Sequence, residues 1–155
     1  MKKEFDPRMH SAEHILNQTM VRMFNCGRCF TAHIEKKKSK CDYHFDRALT
    51  KEEVQKIEMR VNEVIQADMP VNEAYITKED AKKYYNIQRL PKDVGNRIRI
   101  ISIGDYDTCP CIGPHICSTN EIGGFRIVSA SYENDVLRVR FKLHKSNINL
   151  KDNSL

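Results

Sequence analysis

The run Asp6-Pro7-Arg8-Met9-His10-Ser11-Ala12-Glu13-His14-Ile15-Leu16 carries a helix start and a pair of metal-ligand side chains together. Asp6 suits an N-cap, and Pro7 suits the first helical position. Ala12, Ile15, Leu16, Thr19, Met20, Met23 and Phe24 recur at helical spacing, which predicts a helix from Pro7 to about Phe24 with one apolar stripe. His10, His14 and Asn17 fall at the edge of that stripe. Residues i and i+4 share a face, so both imidazoles can aim at one point. The plain alternative is two half-buried histidines that merely help the helix pack. About a hundred residues later, Cys111-Ile112-Gly113-Pro114-His115 repeats the four-residue spacing. Gly113-Pro114 argues against a regular helix there, so the second pair belongs on a tight loop. Zinc accepts imidazole nitrogen and thiolate sulfur together, and His10, His14, Cys111 and His115 can supply three or four tetrahedral ligands. Zn2+ is therefore the expected cofactor.

Length and composition set the frame. At 155 residues, with 40% hydrophobic and 30% charged side chains, the chain matches one ordinary globular domain. The expected division is a domain over residues 1–145 and a frayed tail over 146–155. No apolar run is long enough to span a membrane, and the lysines at the start precede no apolar signal region. A cytoplasmic location is the expectation. The six cysteines (Cys26, Cys29, Cys41, Cys109, Cys111 and Cys117) then read as reduced thiols and metal ligands rather than disulfides. A net charge of +5 permits contact with a phosphate backbone without establishing it.

The remaining elements follow in order. Gly27 is the expected left-handed cap of the first helix. Cys26-Gly27-Arg28-Cys29 follows a helix rather than a strand, so it lacks the setting of a redox C-x-x-C. Cys29–Ile34 and Cys41–Phe45 read as strands joined by a lysine-rich tip. Thr50-Lys51-Glu52-Glu53 is a capping box, with Leu49 and Val54 placed as a staple. The helix it opens has its apolar face on Val54, Ile57, Val61, Val64 and Ile65. A strand over Val71–Ile76, a short helix capped by Thr77, a loop over 86–96 and a strand over Arg97–Ile103 come next. Phe125–Tyr132 and Val136–Leu143 alternate apolar and polar residues about the turn Glu133-Asn134-Asp135. This order predicts an α+β domain with helices packed on a mainly antiparallel sheet.

Taken with Asn120-Glu-Ile-Gly-Gly-Phe-Arg-Ile127, the two ligand pairs closely resemble the free-standing alanyl-tRNA editing proteins, often called AlaX, which are relatives of the synthetase editing domains. The likeness runs from His10 to about Leu143 and includes Val61-Asn-Glu63 and Met69-Pro70-Val71. It implies the editing-domain fold and zinc-dependent hydrolysis of the ester in mischarged tRNA, mainly Ser-tRNA(Ala) or Gly-tRNA(Ala), in trans. The spacer Ile112-Gly113-Pro114 departs from the Cys-Gly-Gly-Thr-His common in that family. Gly-Pro-His is instead similar to the threonyl-tRNA synthetase editing domain, so Ser-tRNA(Thr) is a second candidate substrate. A non-catalytic, zinc-stabilised tRNA-binding module is the third reading.

By the resemblance, His10, His14 and Cys111 are firm ligands, and His115 is a fourth ligand or a proton shuttle. Zinc there offers three routes: activating water, polarising the ester carbonyl or positioning the amino group. Cys109 and Cys117 flank the loop as conceivable substitutes. Thr31 matches the threonine that receives the substrate hydroxyl, a group that an apolar pocket discriminates poorly. Gly123 and Gly124 would allow close approach of the tRNA 3′ end. Lys36, Lys37, Lys38, Lys40, Lys82 and Lys83 are candidate phosphate contacts, and the acceptor end of tRNA is the expected partner.

Overall fold

The structure, a computed structural model, describes residues 6–88, 90 and 95–145. The expected tail over 146–155 and part of the 86–96 loop lie outside the described residues. Asp6 caps the first helix, α1 (Pro7–Phe24), by accepting the Arg8 amide at 2.9 Å. Its end differs from expectation. Asn25, not Gly27, takes the left-handed conformation at φ 54°, because asparagine tolerates that region and stands one residue after the last helical turn.

Two strands, β1 (Thr31–His33) and β2 (Ser39–His44), follow. They are shifted from the expected spans: β2 starts at Ser39, whose hydroxyl donates to the Glu35 carbonyl at 3.1 Å and closes the tip early. The capping box forms as read, with Thr50 accepting from the Glu53 amide and Glu53 accepting from the Thr50 amide, and it opens α2 (Lys51–Gln66). Then come β3 (Val71–Thr77), α3 (Lys78–Tyr84), β4 (Arg97–Ile103), β5 (Asp107–Pro110), a 3-10 turn at Thr119–Ile122, β6 (Gly124–Glu133) and β7 (Val136–His144).

The strands make two antiparallel sheets rather than one. The larger has the order β1-β2-β7-β6 and the smaller β3-β4-β5. β6 and β7 join through Asn134 and Asp135, both with positive φ, as a two-residue hairpin turn requires. A register shift between Ile127 and Ser129 turns part of β6 out of the simple alternation.

α1 and α2 pack on the larger sheet around the main core. Ile15, Leu16 and Met20 of α1, Ile57 and Val61 of α2, and Tyr43, Leu137, Val139 and Phe141 of the sheet are all 0% exposed. Each large aliphatic side chain so buried contributes on the order of 1.5–3 kcal/mol. A smaller cluster of Ala81, Ile98 and Ile100 seats α3 on the second sheet.

Buried polar ties hold these layers in register. Asn62 of α2 makes a two-point bond to the Phe125 backbone, donating to its carbonyl and accepting its amide at 2.9 Å each. Thr119 donates to the last carbonyls of α2, Val64 and Ile65, and accepts the Met69 amide. Among the described residues no helix is long and apolar enough to cross a membrane.

Candidate metal centre

The fold closes the distance between the two ligand pairs. His10, His14, Cys111 and His115 offer ligand atoms that all lie within 4.8 Å of one another. α1 supplies the first pair, and the loop after β5 supplies the second. His10, His14 and Cys111 are buried, while His115 is half-buried. The three rings pack together: His115 stacks on His10 with centroids 4.5 Å apart and meets His14 edge-on at 4.5 Å.

The outer contacts of these rings say which nitrogens face inward. His10 Nδ1 donates to the Pro114 carbonyl at 3.1 Å, so in the neutral ring Nε2 carries the lone pair, and Nε2 stands 3.3 Å from Cys111 Sγ. His115 follows the same pattern, with Nδ1 2.8 Å from Ser11 Oγ and Nε2 3.5 Å from Cys111 Sγ. His14 Nδ1 lies 3.6 Å from Asp107 Oδ2, beyond hydrogen-bond range, and has no hydrogen-bond partner. Asp107 is itself gripped by Arg28 through two bonds of 2.7 and 3.2 Å.

Electrostatics prepares the thiol. Burial alone would raise the Cys111 pKa, but hydrogen bonds to His10, His115 and His14 outweigh it and bring it down to about 3. Burial would also lower His14, yet Asp107 and Cys111 raise it to about 9. His115 is lowered, mainly by burial, which favours the neutral ring that a metal requires. Cys109 behaves in the opposite way: burial pushes it up to about 12, so it stays a thiol, with its S–H directed to the Pro110 carbonyl at 3.4 Å.

The donor set suits zinc. Tetrahedral Zn2+ with nitrogen near 2.05 Å and sulfur near 2.3 Å separates N from S by roughly 3.5 Å. The two Nε2–Sγ distances of 3.3 and 3.5 Å are of that size. A cation at the shared point would take the place of these ring-to-sulfur hydrogen bonds, with the thiolate and the imidazole nitrogens as its ligands.

The loop carrying the second pair is held by its own backbone. Arg99 donates to the carbonyls of Gly113 at 2.7 Å and Cys111 at 3.4 Å, while its Nε is 2.6 Å from Glu73. Gly113 lies against the His10 ring, leaving no room for a β-carbon. Glu121 accepts the Cys117 and Ser118 amides, so its part in the resembling segment is to fold the loop after His115.

The other expected site residues are distributed differently. Thr31 opens β1, half-buried and opposite Asp42, two residues beyond Cys29. Gly123 is buried at φ 90°, a backbone conformation that favours glycine, and Gly124 is buried under the His144 ring, where a β-carbon has no room. Lys36, Lys37 and Lys38 are exposed at the β1–β2 tip. Lys40 pairs with Arg140 across the sheet, and Lys82 and Lys83 are exposed on α3. Cys117 is exposed, and neither it nor Cys109 joins the four clustered ligands.

Sequence reasoning passed over Ser11, Glu13, Arg28 and Asp107. Glu13 is only 5% exposed; its Oε1 lies 3.7 Å from His10 Nε2, and its Oε2 accepts from Asn17 at 2.9 Å and from the Cys29 thiol at 3.4 Å. A charged residue between two ligands on a buried helix face was its only signal. With Cys29 and Cys41 it forms a second close group beside the first.

The structure is thus an α+β scaffold of antiparallel sheets under helices, with a three-histidine, one-cysteine cluster between α1 and a loop. Residues 98–139, which include Cys111 and His115, match the family described as the threonyl and alanyl tRNA synthetase second additional domain. The chain is also similar to an alanine–tRNA ligase of Neisseria meningitidis, with 33% identity over 129 residues, covering 79% of this chain and 14% of that protein. Alanine–tRNA ligases of Coxiella burnetii (35% over 126 residues, 80% and 14%) and Fervidobacterium nodosum (32% over 132 residues, 84% and 15%) are further relatives. The chain thus spans about one seventh of the length of these curated relatives.

Proposed function

We propose that this protein is a zinc-dependent deacylase that hydrolyses the ester of mischarged aminoacyl-tRNA in the cytoplasm, with Ser-tRNA(Ala) and Gly-tRNA(Ala) as its first substrates. The observation that carries the reading is the convergence of His10, His14, Cys111 and His115 within 4.8 Å, from elements about a hundred residues apart in sequence. Zinc, when bound, supplies a Lewis acid for the ester carbonyl and for the attacking water.

The protein's own side chains do the rest. The low pKa of Cys111 keeps a thiolate ready at neutral pH. The Pro114 carbonyl fixes the His10 tautomer, and Ser11 steadies His115, which serves as a fourth ligand or carries the proton to the leaving ribose oxygen. Thr31 receives the serine hydroxyl, and the lysines at the β1–β2 tip and on α3 meet the phosphates of the acceptor end. Ser-tRNA(Thr) is the second substrate to try, because the matching family covers threonyl as well as alanyl domains and the loop reads Gly113-Pro114-His115.

The test is to measure bound zinc and amino-acid release from seryl-, glycyl- and alanyl-tRNA(Ala) and seryl-tRNA(Thr), for the intact protein and for His14→Ala. Release of serine or glycine, lost in His14→Ala, is expected. A folded, zinc-loaded protein that releases none of them refutes the enzymatic reading and leaves the binding module.

A further inference from the structure

Two of the three clustered imidazoles have Nδ1 within hydrogen-bond distance of a partner, the Pro114 carbonyl for His10 and Ser11 for His115. The third does not. His14 Nδ1 is the one buried side-chain nitrogen or oxygen among the described residues that lacks a hydrogen-bond partner, although Asp107 Oδ2 waits 3.6 Å away. Asp107 is 1% exposed at its side chain and begins β5. It cannot swing elsewhere, because Arg28 holds Oδ1 at 2.7 Å and Oδ2 at 3.2 Å in a two-pronged bond. Arg28 comes from the Cys26-Gly27-Arg28-Cys29 segment, whose thiols gave no functional reading. Closing the gap by about 0.5 Å turns the contact into a charge-assisted hydrogen bond.

We infer that Asp107, locked by Arg28, is the outer carboxylate that fixes His14 as a metal ligand through Nε2. Resting on the zinc reading above, it makes the arginine between the two cysteines, rather than the cysteines, the functional member of that segment. A carboxylate behind a ligating histidine selects the tautomer, orients the ring and raises its basicity, and losing it typically lowers metal affinity 10–100-fold. Asp107 and Arg28 are positioning residues, since neither reaches the shared point that the four ligands surround. A buried ion pair that served only the fold would alter thermal stability and leave the ring and the ion alone.

The two roles separate in a zinc titration against a chelating dye, run on metal-free protein alongside 15N-histidine NMR. The wild type, Asp107→Asn and Arg28→Gln are compared, each checked for folding by circular dichroism. Expected are a 10–100-fold weaker zinc affinity in Asp107→Asn and loss of the single Nε2-coordinated signature of His14. Arg28→Gln, which keeps the carboxylate but frees it to rotate, should weaken binding by a smaller factor of at least about three. If the wild type takes up no zinc, the metal reading itself falls and this inference with it. If the wild type binds tightly while Asp107→Asn matches it within twofold and keeps the same tautomer, only the role of Asp107 is refuted. Should Asp107→Asn fail to fold, Arg28→Gln decides: unchanged affinity and tautomer overturn the inference.

Discussion

Gly113→Ala is the sharpest probe of the ligand loop. The backbone of Gly113 does not require glycine, since its φ lies outside the left-handed range; the space does. A β-carbon there would overlap His10 Cε1 and lie 2.5 Å from His10 Nδ1, where ordinary contact needs about 3.5 Å. Either the His10 ring or the loop must therefore move by about 1 Å. The loop resists, because Arg99 grips the Gly113 carbonyl at 2.7 Å and the Pro114 carbonyl accepts a hydrogen bond from His10 Nδ1 at 3.1 Å. A catalytic group misplaced by 1 Å costs on the order of 100-fold in rate, equivalent to about 2.7 kcal/mol of barrier. Global stability should change far less, because the clash falls outside the main apolar core. The assay pairs zinc affinity with the rate of serine release from Ser-tRNA(Ala), and thermal melting serves as the control. A variant that melts like wild type yet loses both is the expected result. Affinity and rate kept within about threefold would show that the packing of Gly113 on His10 does not set the site.

Further outcomes follow from other parts of the molecule. Thr31→Val should reduce the preference for serine over alanine by roughly tenfold while leaving hydrolysis in place, read from competing substrates; total loss of hydrolysis, or no change in preference, contradicts its assigned part. Replacing Lys36, Lys37 and Lys38 together by alanine should raise KM with little change in kcat and flatten the salt dependence of tRNA binding. Thr50→Ala should cost about 1 kcal/mol in denaturant unfolding, since it removes one half of the α2 capping box. Glu53 is held down to about 2 by Arg47 and then by the Thr50 amide. Its contribution is thus present above pH 4.5 and lost as pH falls toward 2. The group is partly exposed, so Glu53→Gln should flatten that acid limb by no more than about 1 kcal/mol.

How far the sequence carries depends on the range of the interaction. α1, α2 and the β6–β7 hairpin were legible because their signals are local: Asp6-Pro7 and Thr50-x-x-Glu53 start helices, and Asn134-Asp135 turns a strand. The four clustered side chains were legible as a candidate set because four-residue spacing is itself a local pattern. Strand ends were not, since β2 gains Ser39 and Lys40 by pairing with Phe141 and Arg140, a hundred residues away. Nor was the short strand β5, which exists only through its ladder to β4. The helix stop fell on Asn25 rather than Gly27 because the αL preference of asparagine competes closely with that of glycine.

By itself, then, the sequence determined which side chains are candidate ligands and which segments are helical, since both follow from spacing along the chain. Tertiary structure alone decided that α1 and the loop after β5 meet and that Pro114, Ser11 and Asp107 lie behind the three rings. It also put Arg28 on Asp107 across 79 residues of sequence. Partners brought together by packing leave no period in the chain, because the contact is fixed by where sheets and helices cross and not by how many residues separate them.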